Sequence, residues 1–405
     1  MSSWTSATDF SRLASSASPE ALACEESFWQ KVRGEYVVPA EFIHLEYGWY
    51  HPCSRAVLAT EIEALKRCHA RGSHYKRGEM DADREAARSD LAALAGVGAE
   101  EIVITRNSTE AINIVINGLP LNRGDAILLC DQEFPSMVQA LEQRARREEL
   151  SLVVAKLPLD PQSDDEVIAA YAAAITPRTK ALVITHLINH TGHVLPVHKL
   201  CALGRERNLQ IFVDAAHSFA HLAFKVAEID CDYLCSSLHK WLGGPLGTGM
   251  LYVRQNRIVG LTPLFADTEV AANDIRKLAH FGDSPDQMHF GLREAIRWHN
   301  QLGSLVKEAR LRFLQRRWTE VARTLPGVRL LTPRDSARHG AIGVFAVDGM
   351  TPEIIVHRLM AEHRIFVNAV VHPVVKGVRV TPGICSSTED IDCLIAALRV
   401  IATSR

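Results

Sequence analysis

Residues 236–253 read SSLHKWLGGPLGTGMLYV, and this stretch decides how the rest of the chain is interpreted. The run YLCSS (233–237) predicts a buried strand, and Lys240 follows that strand almost directly. Four glycines then form a turn before MLYV, which predicts the next strand. A lysine at the end of a buried strand loses hydration, which costs free energy unless the ammonium group is used. Lys240 is therefore a candidate functional residue, although most lysines simply extend to solvent.

The preceding predicted strand adds a carboxylate to this picture. It begins the segment IFVDAAHSFAH at residue 211, and Asp214 lies 26 residues before Lys240. The carboxyl ends of neighbouring parallel strands meet at one crevice, which is where open α/β sheets bind ligands. Pyridoxal phosphate chemistry uses both groups, because a lysine holds the cofactor as a Schiff base and a carboxylate keeps the pyridine nitrogen protonated.

The fold class follows from the pattern around this pair. Seven short apolar runs alternate with helical stretches between residues 102 and 253. This alternation predicts an α/β fold with a mostly parallel, doubly wound sheet, in a large domain over residues 41–290. Strands mixed with helices predict a smaller C-terminal α+β domain over residues 291–405, which begins with a long helical stretch rich in Arg and Leu over residues 292–325. Residues 1–40 predict an arm and an amphipathic helix that pack on the small domain.

Composition excludes several classes of protein. The 405 residues include 45 Lys and Arg against 47 Asp and Glu, a formal net charge of −2, so there is no basic excess for nucleic acid or an anionic membrane. No segment approaches the roughly 18 unbroken apolar residues that a spanning helix requires. The nine cysteines form no C-x-x-C pair, which favours reduced thiols over a disulfide framework. We expect a cytoplasmic protein without a membrane or nucleic-acid partner.

Four histidines in HLINHTGHVLPVH (186–198) resemble a metal cluster at first sight. No cysteine or carboxylate completes a ligand set, and His186 is expected inside a strand. We predict no metal site.

The combination of motifs resembles the class V aminotransferase family of fold-type I pyridoxal phosphate enzymes, in its isopenicillin N epimerase-like branch. The most specific stretch is Asp214-x-x-His217 followed by Ser237-x-His239-Lys240-Trp241 and the glycine turn. The resemblance runs from FWQKVRGEY (28–36) to RVTPGICSSTEDID (379–392), which is nearly the whole chain.

The resemblance implies a role for each residue of the cofactor site. Lys240 attaches pyridoxal 5′-phosphate, Asp214 pairs with the pyridinium nitrogen, and these two with His217 are the expected catalytic residues. The remaining contacts implied are His217 and Asn189 near the phenolic oxygen, Phe134 stacked on the ring, and Ser108, Thr109, Ser237 and His239 near the phosphate. The helix predicted after IVIT (102–105) supports the last group, because a helix N-terminus favours an anion.

Substrate contacts are less well defined. Arg379 is implied to bind the carboxylate of an amino acid substrate, since guanidinium offers a bidentate match. Tyr47, Tyr50, His74 and Tyr75 lie in loops rich in His, Tyr and Arg and are further candidates. Relatives place a Gly-Thr on the neighbouring subunit's phosphate, whereas this chain has Gly-Asp-Ser at residues 282–284, so Ser284 is the expected substitute in a homodimer.

The reaction itself stays open at this point. The leading hypothesis is an isopenicillin N epimerase-like epimerase or racemase, with Lys240 removing the α-proton and a second group serving the opposite face. The candidates for that second group are Tyr47, Tyr50, His51, His74 and Tyr75. A C–S lyase and an aminotransferase are alternatives, because one carbanion feeds all three outcomes. A cysteine desulfurase is disfavoured because residues 363–378 contain no cysteine. A nicotinamide dehydrogenase is disfavoured by the glycine spacing, and a non-catalytic interaction module by the intact site residues.

Overall fold

The computed structural model describes residues 10–403 except Ser16 and Thr268, with no side chain described for Leu13. The α-helices of this part of the chain are α1 Phe10–Ala14, α2 Pro19–Cys24, α3 Glu26–Gly34, α4 Arg55–Gly78, α5 Met80–Ala95, α6 Ser108–Gly118, α7 Pro135–Glu148, α8 Asp164–Ala174, α9 Val197–Glu206, α10 Val226–Ile229, α11 Gln287–Leu302, α12 Ser304–Ala322, α13 Pro352–His363 and α14 Thr388–Thr403. The strands are β1 Ile43–His44, β2 Ile102–Thr105, β3 Ala126–Cys130, β4 Ser151–Ala155, β5 Thr179–Thr185, β6 Gln210–Asp214, β7 Tyr233–Ser237, β8 Gly249–Val253, β9 Val328–Leu330, β10 Gly343–Val347, β11 Ile365–Phe366, β12 Asn368–Val371 and β13 Lys376–Val380.

A seven-stranded sheet forms the centre of the molecule, in the order β2-β8-β7-β6-β5-β3-β4. Only β8 runs antiparallel to its neighbours β2 and β7, and the other pairings are parallel. The inner strands are buried except at Lys180 of β5 and Gln210 of β6, because helices cover both faces, which is why they read as nearly continuous apolar runs. The prediction of an α/β fold with a mostly parallel sheet is confirmed.

The strand ends bring the two predicted catalytic residues together. Strand β6 ends at Asp214, which pairs in register with Cys235 of β7, and β7 ends three residues before Lys240. Both residues therefore lie at the carboxyl edge of the sheet. The loop before α6 lies beside them, because Thr105 of β2 pairs with Gly249 of β8.

A four-stranded antiparallel sheet, β12-β13-β10-β9, forms the smaller C-terminal domain. Its apolar face packs on α12, α13 and α14 around Trp318 and Phe345. The helical stretch predicted over 292–325 is two helices, because Gly303 adopts a positive φ of 82° between α11 and α12. Since α11 contacts α4 and α5 and runs through residue 291, the boundary at 290/291 stays a prediction, as do the other domain limits.

The N-terminal helices lie against α12 and α14. Arg310 of α12 is fully buried and donates to the carbonyl of Ala23 at 3.0 Å and to Glu26 at 2.9 Å. Arg33 of α3 forms an ion pair of 2.8 Å with Asp390 of α14. In the described part of the chain, none of the helices combines the length and apolar character that crossing a bilayer requires.

Gly249 offers a test of how tightly the sheet packs on the loop before α6. A Cβ added there would lie 2.5 Å from the Cα of Asn107, which is a backbone atom and cannot rotate away. We expect Gly249→Ala to lower the free energy of unfolding by about 1–3 kcal/mol, measured by urea denaturation. Gly34→Ala is the matched control, because a Cβ there meets no atom within 4 Å. Equal stability of the two variants would contradict the packing described here.

Candidate active site

A cavity of about 370 Å³ opens at the carboxyl edge of the central sheet. Larger depressions elsewhere on the surface contain none of the predicted site residues. The cavity is lined by Gly48, Trp49, Asn107, Ser108, Thr109, Phe134, Pro135, Asn189, His190, His217, Ser237, His239, Lys240, Asn368, Ala369, Val370, Val371 and Arg379. It therefore lies between the two sheets and collects residues from both.

Lys240 and His217 form the centre of the cavity wall. Trp241 Nε1 donates to His217 Nδ1 at 3.3 Å, and burial together with the nearby Lys240 keeps the pKa of His217 well below its ordinary value. A neutral imidazole that accepts at Nδ1 carries its proton on Nε2. Nε2 therefore donates to Lys240 Nζ at 3.0 Å, which requires the uncharged amine. Burial lowers the pKa of Lys240 to about 8, which also favours the uncharged amine.

Asp214 lies behind this pair as a buried carboxylate. Its Oδ1 accepts from the backbone N–H of Ala216 at 2.8 Å and lies 3.7 Å from the Cys235 thiol. Burial raises the pKa of Asp214, and the described residues form no ion pair with it. A buried carboxylate without a counter-charge matches the requirement of a protonated pyridine nitrogen.

The opposite end of the cavity is formed by the N-terminus of α6. Ser108 N–H donates to Ser237 Oγ at 3.0 Å, and Ser237 Oγ donates to Ser108 Oγ at 2.8 Å. The exposed Thr109 also lines the cavity, and Asn107 caps the helix by accepting from Glu110 N–H at 2.9 Å. Backbone N–H groups and hydroxyls at a helix N-terminus fit a phosphate group.

Three further predicted residues line the same cavity. Phe134 precedes α7, and His239 contacts the carbonyl of Thr248 at 3.3 Å, with a pKa that burial lowers to about 4. Asn189 is buried, and its Oδ1 has no hydrogen-bond partner among the described residues. Since buried amides are normally satisfied, this atom is an unfilled polar position that fits a bound ligand.

Arg379 enters the cavity from β13 in a buried ion pair with Glu46. Nε donates to one carboxylate oxygen at 3.2 Å and Nη2 to the other at 2.5 Å, and each side chain is only 5% exposed. Nη1 donates to the carbonyl of Asn189 at 3.3 Å. Three of the five guanidinium N–H groups are thereby used. One N–H on each terminal nitrogen has no partner within the described part of the chain.

The other predicted contacts lie outside this cavity lining. Tyr47 is buried and stacks on His44 with ring centroids 4.3 Å apart. Tyr75 is buried and donates to Asp83 at 3.0 Å. Tyr50 is half-buried, His74 is exposed, and Ser284 Oγ accepts from Arg84 at 3.2 Å. Among the described residues of one subunit, Arg379 is thus the only predicted substrate contact that lines the cavity.

Several lining or supporting residues were missed by sequence reasoning. Glu46 and Trp49 lie in the loop whose tyrosines were favoured, and nothing in their spacing distinguishes them. His190 follows Asn189 directly, but its place in a run of histidines suggested only a metal site. Within the described residues, no group of three or more His, Cys, Asp and Glu side chains is arranged to hold a metal ion. His186 also lies one residue past β5 instead of inside it.

Comparison with known proteins assigns this site to a family. The profile of the family described as aminotransferase class-V matches residues 53–394, so the chain belongs to that family. This confirms the resemblance read from the sequence, the prediction of an enzyme, and pyridoxal 5′-phosphate as its cofactor.

Relatives within this family differ in activity. The chain is 29% identical to isopenicillin N epimerase from Streptomyces clavuligerus, over 91% of this chain and 97% of that protein. It is 27% identical to a probable cysteine desulfurase from Mycobacterium leprae, over 69% and 70% of the two chains. The apo structure of cysteine desulfurase from Thermococcus onnurineus has a TM-score of 0.83 at 23% identity, over 93% and 98% of the chains. These structures share the fold.

The Glu46–Arg379 pair generates a stability prediction. Removing one partner of a buried ion pair leaves an uncompensated charge, so Glu46→Ala should lower the free energy of unfolding by about 3 kcal/mol in urea denaturation. Glu63→Ala is the control, because Glu63 pairs with Lys66 at the surface and its loss should cost less than about 1 kcal/mol. A Glu46→Ala variant as stable as the control would show that the pair is not energetically coupled.

Proposed function

We propose that this protein is an amino acid epimerase or racemase that acts at the α-carbon of its substrate. The observation that carries the proposal is that Lys240 and Arg379 open into one cavity, with Asp214 behind and no cysteine among the described lining residues. A fixed cation and a proton-accepting amine in one cavity suit an amino acid held by its carboxylate.

Arg379 is the proposed anchor of the substrate carboxylate. Glu46 holds its Nε side and the carbonyl of Asn189 holds Nη1, so the guanidinium plane is fixed before substrate arrives. The two remaining N–H groups are available to a second carboxylate. Because Glu46 already balances the charge of Arg379, binding relies on these directional hydrogen bonds more than on net attraction.

Lys240 is the proposed base for one face of the substrate. Its pKa of about 8 leaves about a tenth of the amine neutral at pH 7, whereas an ordinary lysine is almost fully protonated. The contact of Nζ with His217 Nε2 at 3.0 Å fixes the position of the amine in the free protein. The chain would hold pyridoxal phosphate between Asp214 and the N-terminus of α6, where it supplies an electron sink for the pair left at the α-carbon.

A cysteine desulfurase is the second candidate, since such enzymes are among the relatives. That reaction uses a nucleophilic thiol, and the nearest cysteine after Arg379 is Cys385. Cys385 is buried, and burial raises its pKa to about 11, so it is almost fully protonated at neutral pH. The environment of this thiol therefore favours epimerisation over sulfur transfer.

A homodimer is the proposed assembly. Leu58, Ile62 and Leu65 lie at helical spacing on one face of α4, and each is at least 40% exposed. Leu246 is 59% exposed and lies on the glycine turn after Lys240. This turn lies close to α4, because Pro245 of the turn and Glu61 of α4 both lie next to Gly291. An exposed apolar stripe of this kind fits a subunit interface. The nine free cysteines support a reducing compartment, in keeping with a cytoplasmic protein.

The first experiment measures solvent deuterium at the α-carbon across a panel of L- and D-amino acids. Purified protein should be yellow, should lose its visible band on borohydride reduction, and should give deuterated product of inverted chirality for at least one substrate. Lys240→Ala should lose covalent attachment of the cofactor and all exchange. Release of a keto acid or a sulfur group without inversion would favour transamination or a C–S lyase. No spectral response to any amino acid would favour a non-catalytic module.

The second experiment tests the assembly. Ile62→Glu places a charge in the apolar stripe and should shift the mass measured by light scattering from dimer to monomer at micromolar concentration. Ile354→Glu on α13 is the matched control, because Ile354 is equally exposed but lies on the C-terminal domain. A wild-type protein that is an active monomer would refute the proposed interface.

A further inference from the structure

Inversion at a carbon centre requires proton transfer on both faces, and Lys240 can serve only one of them. None of the tyrosines and histidines first considered for the other face lines the cavity, namely Tyr47, Tyr50, His51, His74 and Tyr75. The ionisable side chains that line it, among the described residues, are those of His190, His217, His239, Lys240 and Arg379.

Lys240 is assigned to the first face, and three of the other four side chains are unsuited to proton transfer on the second face. Both ring nitrogens of His217 are occupied, by Lys240 and Trp241. His239 lies two residues from Ser237 at the α6 end of the cavity and contacts the carbonyl of Thr248. Arg379 is a permanent cation and cannot accept a proton. His190 remains.

His190 is positioned beside the proposed carboxylate anchor. It follows Asn189, whose carbonyl accepts from Arg379 Nη1 at 3.3 Å. His190 is only 8% exposed, and its Nε2 has no hydrogen-bond partner among the described residues. A buried imidazole nitrogen without a partner costs free energy, and an incoming substrate can relieve that cost.

We propose that His190 is the second proton-transfer residue, which serves the face of the substrate α-carbon opposite to Lys240. This inference rests on the proposed epimerase function. In one direction neutral His190 takes the α-proton and the ammonium group of Lys240 delivers a proton to the opposite face, so the substrate keeps its composition and only its configuration changes. The roles exchange in the reverse direction, as microscopic reversibility requires.

The surroundings of His190 favour the neutral, proton-accepting form. Burial, assisted by the positive charges of His372 and Arg379, lowers its pKa to about 3. A carboxylate bound to Arg379 opposes that positive charge and raises the basicity of the imidazole when substrate is present. The His190 ring stacks on the half-buried His372 with ring centroids 4.5 Å apart.

The test compares exchange with inversion in D₂O, using protein saturated with pyridoxal phosphate and the amino acid that wild type epimerises. In His190→Gln, inversion should fall by at least about 100-fold. The enantiomer that Lys240 deprotonates should still gain deuterium with retained configuration, at close to the wild-type rate. His190→Asn is a second variant with the same expectation, and His198→Gln, at an exposed position of α9, is the matched control that should invert normally.

Each outcome separates this inference from the proposed function. Wild-type protein that neither exchanges nor inverts any amino acid refutes the epimerase proposal. Wild-type inversion with unchanged inversion in both His190 variants overturns only the role of His190. Variants that lose exchange together with the visible cofactor band indicate a structural role and overturn it as well.

An independent measurement requires neither cofactor nor substrate. Nitrogen-15 spectra of the histidine side chains, with His190 assigned from the variant, should show a neutral imidazole at pH 7 in the protein freed of cofactor. A doubly protonated His190 at that pH could not act as a base and would overturn the inference.

Discussion

The placement of a buried carboxylate and a lysine at the ends of two neighbouring strands is the constraint on which the site depends. Asp214 ends β6 and Lys240 follows β7, and register pairing fixes the distance between the two strands. Burial raises the pKa of the acid and lowers that of the lysine, so each group moves toward its neutral form. Two groups held close to neutrality by their surroundings are easily recharged by a ligand, which is what a cofactor with a basic ring nitrogen requires.

A second pair, Glu46 with Arg379, neutralises a buried guanidinium and still leaves N–H groups for a substrate. A guanidinium that is 95% buried needs a counter-charge, yet a counter-charge that covered the whole guanidinium would leave nothing for a substrate. Glu46 approaches along the Nε side, so the two terminal nitrogens each keep one free N–H. The pair therefore combines a stable interior with directional binding capacity. The pair also connects the segment after β1 to β13, which are 333 residues apart in the sequence.

The architecture and the placement of Lys240 and Asp214 could be predicted from local pattern, whereas the other expected cofactor contacts came from the family resemblance. Apolar runs and glycine turns are local, and the residues at their ends meet because parallel strands converge. Tyr47 and Tyr75 were favoured because the segments around them are rich in His, Tyr and Arg, which is a statement about composition and not about spacing. In the structure Tyr47 and Tyr75 are internal, because stacking on His44 and hydrogen bonding to Asp83 bury them. Long-range contacts of this kind, like that of Glu46 with Arg379, leave no signal in residue spacing.

The reversed direction of β8 has a consequence for motion. The chain turns back through the glycine loop after Lys240, so the sheet holds it on both sides of the turn, with Leu238 N–H donating to the carbonyl of Thr248 and Gly243 N–H to that of Lys240. These hydrogen bonds fix the backbone of Lys240, while its four-carbon side chain keeps rotatable bonds. Reorientation of the amine between covalent attachment and proton transfer then requires only torsional rotation of one side chain, without rearrangement of the fold.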